Sequence, residues 1–398
     1  MTVQRRDSRL RVLCLDIEGG HGGSSRSLYQ LLRHIDLSAV DVEVWCRRAG
    51  LADAYSDLGV SCNIEPTMPK ATSVARLSRN CVVYARAALQ FAKARPFIAR
   101  LVDVGNSVDV VHFNIEPLWL LAWSVRQRLA AAKTFHVRTN LVDTAFSRRQ
   151  MRTIDNLSND LIFITENERD TFFARSGTRE RGHIVHNSVD PALINAPVHA
   201  ALTHEPRLKI ACLSNYSYDR GIDRLVDLAC QLKGQLNVVF VVAGDMTLPR
   251  SAPGRLGQIG ARGGTLADYA KERGVDGSFI FLGHIKAPET VLAGADLLIK
   301  PTREYNPWGR DILEALAAQV PVISIGSYSK FVEDGVTGVL HPEFVASRIA
   351  ASITALAESP QKRATMGVAA RNRVLSLCSG AEAAARVTNI WSDAARGV

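Results

Sequence analysis

The chain of 398 residues has no apolar run approaching the ~20 residues that a membrane-spanning helix requires. Its first stretch, MTVQRRDSRLRVL, carries arginines but no apolar segment of signal-peptide length. Cysteine occurs seven times, yet never as Cys-x-x-Cys and never at metal-ligand spacing. Cys14, Cys212 and Cys230 sit in apolar segments and read as reduced core residues. These absences predict a cytoplasmic protein. No repeat period is visible, and no nucleic-acid-binding motif is present.

What the chain does contain is enough apolar sequence for full cores. Hydrophobic residues make up 47% and charged residues 22%, over a length that suits two or three domains. The net charge is +9. Residues 1–190 hold 26 Lys and Arg against 20 Asp and Glu; the remainder holds 22 against 19. An excess of this kind suits phosphorylated ligands or an anionic membrane. Residues 69–102 concentrate it: Lys70, Arg76, Arg79, Arg86, Lys93, Arg95 and Arg100 occur without a single acid, interleaved with Val, Leu, Ile and Phe. That stretch reads either as a membrane-surface helix or as a solvated basic face over the core.

Short apolar runs alternate with helical patterns along most of the chain. Strands are predicted at 11–17, 42–46, 108–113, 133–137, 161–165, 208–213, 238–244, 278–285, 297–299 and 320–325. This alternation implies parallel sheets, in which ligands sit beyond the carboxyl ends of the strands. The first strand runs into EGGHGGSSRSLYQ, where Gly19, Gly20, Gly22 and Gly23 allow a tight turn and close backbone approach to a ligand. A phosphate-binding loop fits, and so does a dinucleotide fold. The dinucleotide fingerprint lacks its third glycine, and Arg47-Arg48 after the second strand argues against NAD while tolerating NADP. Residues 246–265, rich in Gly, Arg and Pro, read as a mobile segment. Residues 191–206, with Pro197 and Pro206 and no periodicity, read as a linker.

The most informative stretch is residues 300–340. A strand ends at Pro301, and a polar loop follows with Arg303, Glu304, Asn306, Trp308, Gly309, Arg310 and Asp311. A helix over 311–319 then presents Ile312, Leu313 and Leu316 at helical spacing. The start of that helix offers free N–H groups and a positive dipole to an anion.

NPWGRDILEALAAQVPVIS resembles the signature of the GT-B glycosyltransferases of family GT4, retaining enzymes that use nucleotide-sugars. The resemblance covers most of the chain. It implies an α/β fold of two doubly wound Rossmann-like domains facing a cleft. Residues 1–190 would be the acceptor-side domain, 191–206 the linker and 207–378 the nucleotide-sugar domain, with 379–398 a helix crossing back to the first. Glu314 falls on the motif's second glutamate, which grips the donor ribose. Asn306 stands where the first glutamate is usual, and Trp308 replaces a phenylalanine. An amide both donates and accepts, so Asn306 leads us to expect a donor sugar that presents an acceptor, such as a carboxylate or carbonyl, or one that lacks a hydroxyl the glutamate would bind. Arg220-Gly221 matches the family's Lys-Gly at the diphosphate, and Asn215 stands where another cation is common. Gly283, His284 and Ile285 match the residues at the base. Trp308, Gly309, Arg310 and Asp311 would line the donor pocket, which Gly22 and Gly23 complete. HNSVD at 186–190 resembles the family's Asn-Gly-Val-Asp, with Ser188 in the glycine's place.

A lone histidine is more often structural than functional, and His112 is read that way. His136 matches a family histidine that approaches the donor sugar. Asn114, Glu116, Asn140 and Asp143 would lie on the acceptor side. The resemblance implies transfer from a UDP- or GDP-sugar to a glycan, lipid-linked or small-molecule acceptor. No Asp-x-Asp occurs, so no metal and no cofactor is expected. Localisation would be cytoplasmic, peripheral on an anionic membrane if residues 69–102 dock there. The competing readings are an NADP-dependent oxidoreductase and a catalytically silent sugar-nucleotide-binding relative.

Overall fold

The computed structural model describes residues 9–17, 22–69, 81–140, 143–177 and 182–397. They form two compact units. Unit 1 comprises Met1–Ser188 with Cys378–Val398, and unit 2 is Val189–Leu377.

Unit 1 is built on β1 (Leu10–Asp16), β2 (Val40–Cys46), β3 (Ser61–Ile64), β4 (Val110–Phe113), β5 (Ala132–Val137), β6 (Asp160–Phe163) and β7 (His183–Ile184). They pair in parallel in the order β3-β2-β1-β4-β5-β6-β7. Alternation along each strand sends neighbouring side chains to opposite faces, and both faces are covered. Val12, Cys14, Val44, Val110 and Ile162 pack with the helices Gly23–Leu32 and Gly380–Arg396, the latter contributing Val387, Ile390 and Trp391. Leu13, Leu15, Val111, Phe113, Phe135 and Phe163 pack against Phe97 and Leu101, Leu121, Met151, and Phe172. Burial on both sides is why these strands read as unbroken apolar runs.

Unit 2 repeats the plan with β8 (Leu208–Leu213), β9 (Val238–Ala243), β10 (Phe279–Gly283), β11 (Leu297–Lys300), β12 (Val322–Ile325) and β13 (Gly338–His341), in the order β10-β9-β8-β11-β12-β13. All of these pairs are parallel too. Ile210, Cys212, Phe240, Val242, Leu297, Ile299 and Ile323 form a core with Leu225, Leu228, Ile349 and Ile353. In each sheet the strand order reverses once, between β1 and β4 and between β8 and β11. The loops leaving the carboxyl ends of those strands diverge there and leave room for a ligand.

Two expectations change. The stretch 191–206 is folded into unit 2 rather than free: it carries short 3-10 turns at Pro191–Asn195 and Ala200–Leu202. Leu202 is buried, His199 N–H donates to Thr290 O at 2.9 Å, and Arg371 donates to Pro191 O. Residues 246–265 contain the helix Gly254–Ala261, held by a buried cluster of Leu248, Ala252, Leu256 and Ile259. Four apolar side chains outweigh the glycines and arginines around them. Of the basic stretch, residues 70–80 lie outside the described residues. The rest forms the helices Cys81–Lys93 and Arg95–Gly105.

Candidate functional site

In unit 2 the loops beyond β8 and β11 are locked together by a close backbone approach. Gly221 follows the 3-10 turn Tyr218–Arg220 with φ of 69°. A Cβ built there would lie 2.0 Å from the Pro301 carbonyl oxygen, so only glycine fits. Arg224 reinforces the junction by donating to Pro301 O and Thr302 O at 3.0 and 2.9 Å. Arg303 reaches back with two bonds to the Asp223 carboxylate, at 2.8 and 2.6 Å, and stacks over the Tyr218 ring.

The cations crowded here differ in what remains of their charge. Arg303 is paired with Asp223, Lys300 with Asp311, and Arg310 with Glu314. Arg224 is half-buried on two carbonyls. Arg220 is exposed, and its guanidinium donates to the neutral Ser214 hydroxyl. It is therefore the cation with charge to offer an anion. Sequence reasoning named Arg303 without its partner and passed over Lys300, since their partners are distant or follow a loop.

The loop from β11 to the helix Arg310–Ala317 is anchored at both ends. Trp308 is 5% exposed and meets the Tyr328 ring edge-to-face at 5.0 Å, so its indole belongs to the core and not to an open pocket. Its carbonyl accepts from Lys300. Gly326, after β12, would place a Cβ 2.6 Å from both Pro307 Cδ and Tyr305 O, so the loop rests directly on its backbone. Tyr305 takes the left-handed φ of 52°, uncommon for a side chain of its size. Asn306 Nδ2 donates to Glu304 Oε2 at 3.1 Å. A carboxylate only accepts, so this bond fixes the amide with Oδ1 turned away. That oxygen is buried and has no partner among the described residues. The amide thus presents an acceptor, opposite to the expectation from residue type alone. Glu314 is buried, and Arg310 grips its Oε1 with Nε and Nη2 at 2.9 and 2.7 Å.

Beyond β9 and β10 lies a cavity of about 420 Å³ lined by Gly244, Asp245, Met246, Thr265, Ala267, Phe281, Gly283 and His284. Gly283 and His284 thus reach it, whereas Ile285 does not line it. Asn215 holds its edge, Oδ1 accepting from Asp245 N–H at 2.8 Å.

In unit 1 a buried polar cluster gathers beyond β4 and β5. Arg138 donates to Asn114 O and Asn114 Oδ1, to Asn187 Oδ1, and to His136 Nδ1 at 3.0 Å. A guanidinium only donates, so His136 Nδ1 accepts and the ring proton sits on Nε2. Burial, then the charge of Arg138, then His112 push the His136 pKa well below its ordinary value, so the ring is neutral. Its Nε2 has no partner among the described residues. His112 is structural as expected, its Nδ1 meeting Thr134 Oγ1 and the Trp391 indole; burial pushes its pKa down to about 3. Glu116 Oε1 accepts from Arg138 and Thr139 N–H at 2.5 and 2.7 Å, while buried Oε2 is unpartnered among the described residues. Burial raises the pKa of that carboxyl. The cluster brings together His136, Asn114 and Glu116 with Asn187 of the HNSVD motif, and adds Arg138, which the sequence did not single out. Its signal is the Arg two positions after His136, at a strand's carboxyl end.

Asn140 and Asp143 stand apart from this cluster. Both are exposed, and Asp143 is held by a forked bond from Arg148, which lowers its pKa. Gly22 caps the helix Gly23–Leu32 with extended backbone; Gly19 and Gly20 lie outside the described residues.

Comparison with known proteins agrees with this fold. Residues 21–193 match the model described as Glycosyltransferase Family 4, and residues 199–373 match Glycosyl transferases group 1. Over 152 residues the chain is 29% identical to alpha-D-kanosaminyltransferase of Streptomyces kanamyceticus, covering 37% of this chain and 36% of that protein. The crystal structure of Anabaena HepE in complex with UDP and glucose has a TM-score of 0.76 at 18% identity, over 97% of this chain and 100% of the other. Sucrose-phosphate synthase from Thermosynechococcus elongatus gives 0.74 at 16%, over 98% and 100%. Two adjoining family models and two parallel sheets of this order place the chain among the GT4-like glycosyltransferases of GT-B fold.

Proposed function

We propose that the chain transfers a sugar from a nucleoside diphosphate donor to an acceptor with retention of configuration, without a metal. The observation that carries this reading is the charge at the carboxyl end of the unit 2 sheet. Arg220 is left without a carboxylate partner there, on the loop after β8 that Gly221 joins to the loop leading to the helix Arg310–Ala317. A guanidinium and free helix N–H groups can neutralise the leaving diphosphate where its charge grows. Glu314 would hold the ribose, and the cavity at Gly283 and His284 the base. HepE was crystallised with UDP, which favours a uridine donor within the UDP/GDP pair. In unit 1, the Nε2–H of neutral His136 is available to a sugar hydroxyl, and Asn114 and Glu116 to an acceptor. The acceptor hydroxyl would attack from the side the diphosphate leaves, its proton passing to a phosphate oxygen as the glycosidic bond to the diphosphate breaks.

Calorimetry and turnover test these assignments. Glu314→Gln should weaken nucleoside diphosphate binding roughly tenfold, the loss of a charge-assisted bond, while keeping Arg310 partnered. Arg220→Ala should lower turnover more than it lowers nucleoside monophosphate affinity. Unchanged affinity in folded Glu314→Gln would remove that residue from the site. Binding without turnover of any donor would instead favour a silent relative.

The Asn306 amide refines the donor. With Oδ1 as acceptor and the Glu304 carboxylate behind it, the pocket favours a sugar presenting a hydroxyl or amino hydrogen, and disfavours one presenting a carboxylate. Glu304→Gln frees the amide to turn. Ratios of kcat/KM for hexose against uronic acid donors should then fall by about tenfold. Unaltered ratios would show that this pair does not read the sugar.

An anionic membrane remains the proposed partner of the basic stretch. Among the described residues no helix is long and apolar enough to cross a membrane. Arg86, Leu89 and Lys93 are all exposed on the helix Cys81–Lys93, whereas Arg100 is taken by Glu65 and the Trp45 ring. Each cation beside an anionic bilayer contributes about 1 kcal/mol. Salt-sensitive sedimentation with anionic vesicles, weakened by Arg86→Glu and Lys93→Glu, is expected; no sedimentation at low salt would leave a soluble acceptor as the better account.

A further inference from the structure

We propose that Cys46 and Cys62 form a reversible dithiol–disulfide pair in unit 1. The two sulfurs face each other at 3.4 Å across adjacent parallel strands. Cys46 is the last residue of β2 and Cys62 the second of β3. In the ladder Val44 lies opposite Cys62 and Cys46 opposite Ile64, so the cysteines are diagonal neighbours on one face.

Their surroundings divide the chemistry. Cys46 is fully buried, whereas Cys62 is partly exposed on the edge strand, with Ser61, Asn63 and Ile64 exposed around it. A soluble oxidant can reach Cys62 and not Cys46. The contact with Cys46 favours the Cys62 thiolate, while burial and the same contact disfavour the thiolate of Cys46. The exposed sulfur is therefore the attacking group and the buried one resolves. With a small disulfide as oxidant, the Cys62 thiolate attacks one sulfur, the disulfide bond breaks, and one small thiolate leaves. Cys46 then loses its proton and attacks Cys62 Sγ, and the second small thiol departs. The protein loses two hydrogens, and the oxidant is reduced to two thiols.

Closing the bond brings the sulfurs to about 2.05 Å. The strand that must move is β3, four residues long and paired on one side only. Oxidation would report close to the ligand end of the sheet. Arg47 N–H, next after Cys46, donates to Asp16 O at the end of β1, and the Asp16 charge is felt by both cysteines. Of the other cysteines, Cys14, Cys212 and Cys378 are buried, with burial pushing the Cys14 and Cys212 thiols up, and Cys230 is half-buried with its sulfur accepting from Arg273 at 3.5 Å.

The test uses the full chain with oxidised glutathione, followed by alkylation and peptide mass spectrometry. The expected product is a Cys46–Cys62 disulfide that dithiothreitol reverses. Cys46→Ser should stop the reaction at one glutathionyl group on Cys62, and Cys62→Ser should abolish both products. If Cys46→Ser fails to fold, alkylation of the native chain serves: Cys62 should react at least about tenfold faster than Cys14, Cys212 or Cys378. Oxidation joining other cysteines, a stable Cys62 adduct in the native chain, or no preferential labelling of Cys62 would each overturn the proposal.

Discussion

The approach of Gly221 to the Pro301 carbonyl is the contact on which the unit 2 site depends. It joins the loop after β8 to the loop after β11, the two strands between which the sheet order reverses. A side chain at that position would force the loops apart by more than an ångström. Without it, Arg224 could not reach Pro301 O and Thr302 O, and Arg303 could not span to Asp223. The glycine therefore acts through geometry, and the arginine beside it through charge.

Around this junction most of the cations are held by carboxylates or, for Arg224, by backbone carbonyls, and Arg220 stays exposed. Burying an unpartnered charge costs several kcal/mol, whereas an exposed one keeps its hydration. Arg303, Arg310 and Lys300 are accordingly neutralised by Asp223, Glu314 and Asp311, while Arg220 stays at the surface. Unit 1 solves a related problem with neutral groups. Arg138 spends its donors on carbonyls, amides and a histidine, and so fixes the tautomer of His136. Both arrangements fix a polar group through its neighbours.

Much of this was legible in the sequence because parallel strands buried on both faces leave unbroken apolar runs. β1, β5, β8, β9 and β12 were readable for that reason. β3 and β13 were not: both lie at sheet edges, and every residue of β3 is at least partly exposed, whereas the edge strand β10 kept a readable apolar run. Arg220-Gly221, Glu314 and His136 were named through motif spacing, which encodes loop length. Arg138 and Lys300 were missed, and Arg303 was named without its partner, because their importance lies in groups such as Asn187 and Asp223, which only the fold brings within reach. Trp308 was assigned to the pocket by its place in the motif, but its packing on Tyr328 makes it the loop's anchor. Asn306 was read as a mixed donor and acceptor until the Glu304 bond settled which end it presents.

The central claim is that this chain releases a nucleoside diphosphate by transferring its sugar with retention. Time-resolved proton NMR of the intact protein with α-linked UDP- and GDP-hexoses addresses it directly. The account predicts nucleoside diphosphate release with the transferred or hydrolysed sugar appearing first as the α anomer. First appearance of the β anomer, or no consumption of any donor by a folded protein, would contradict it.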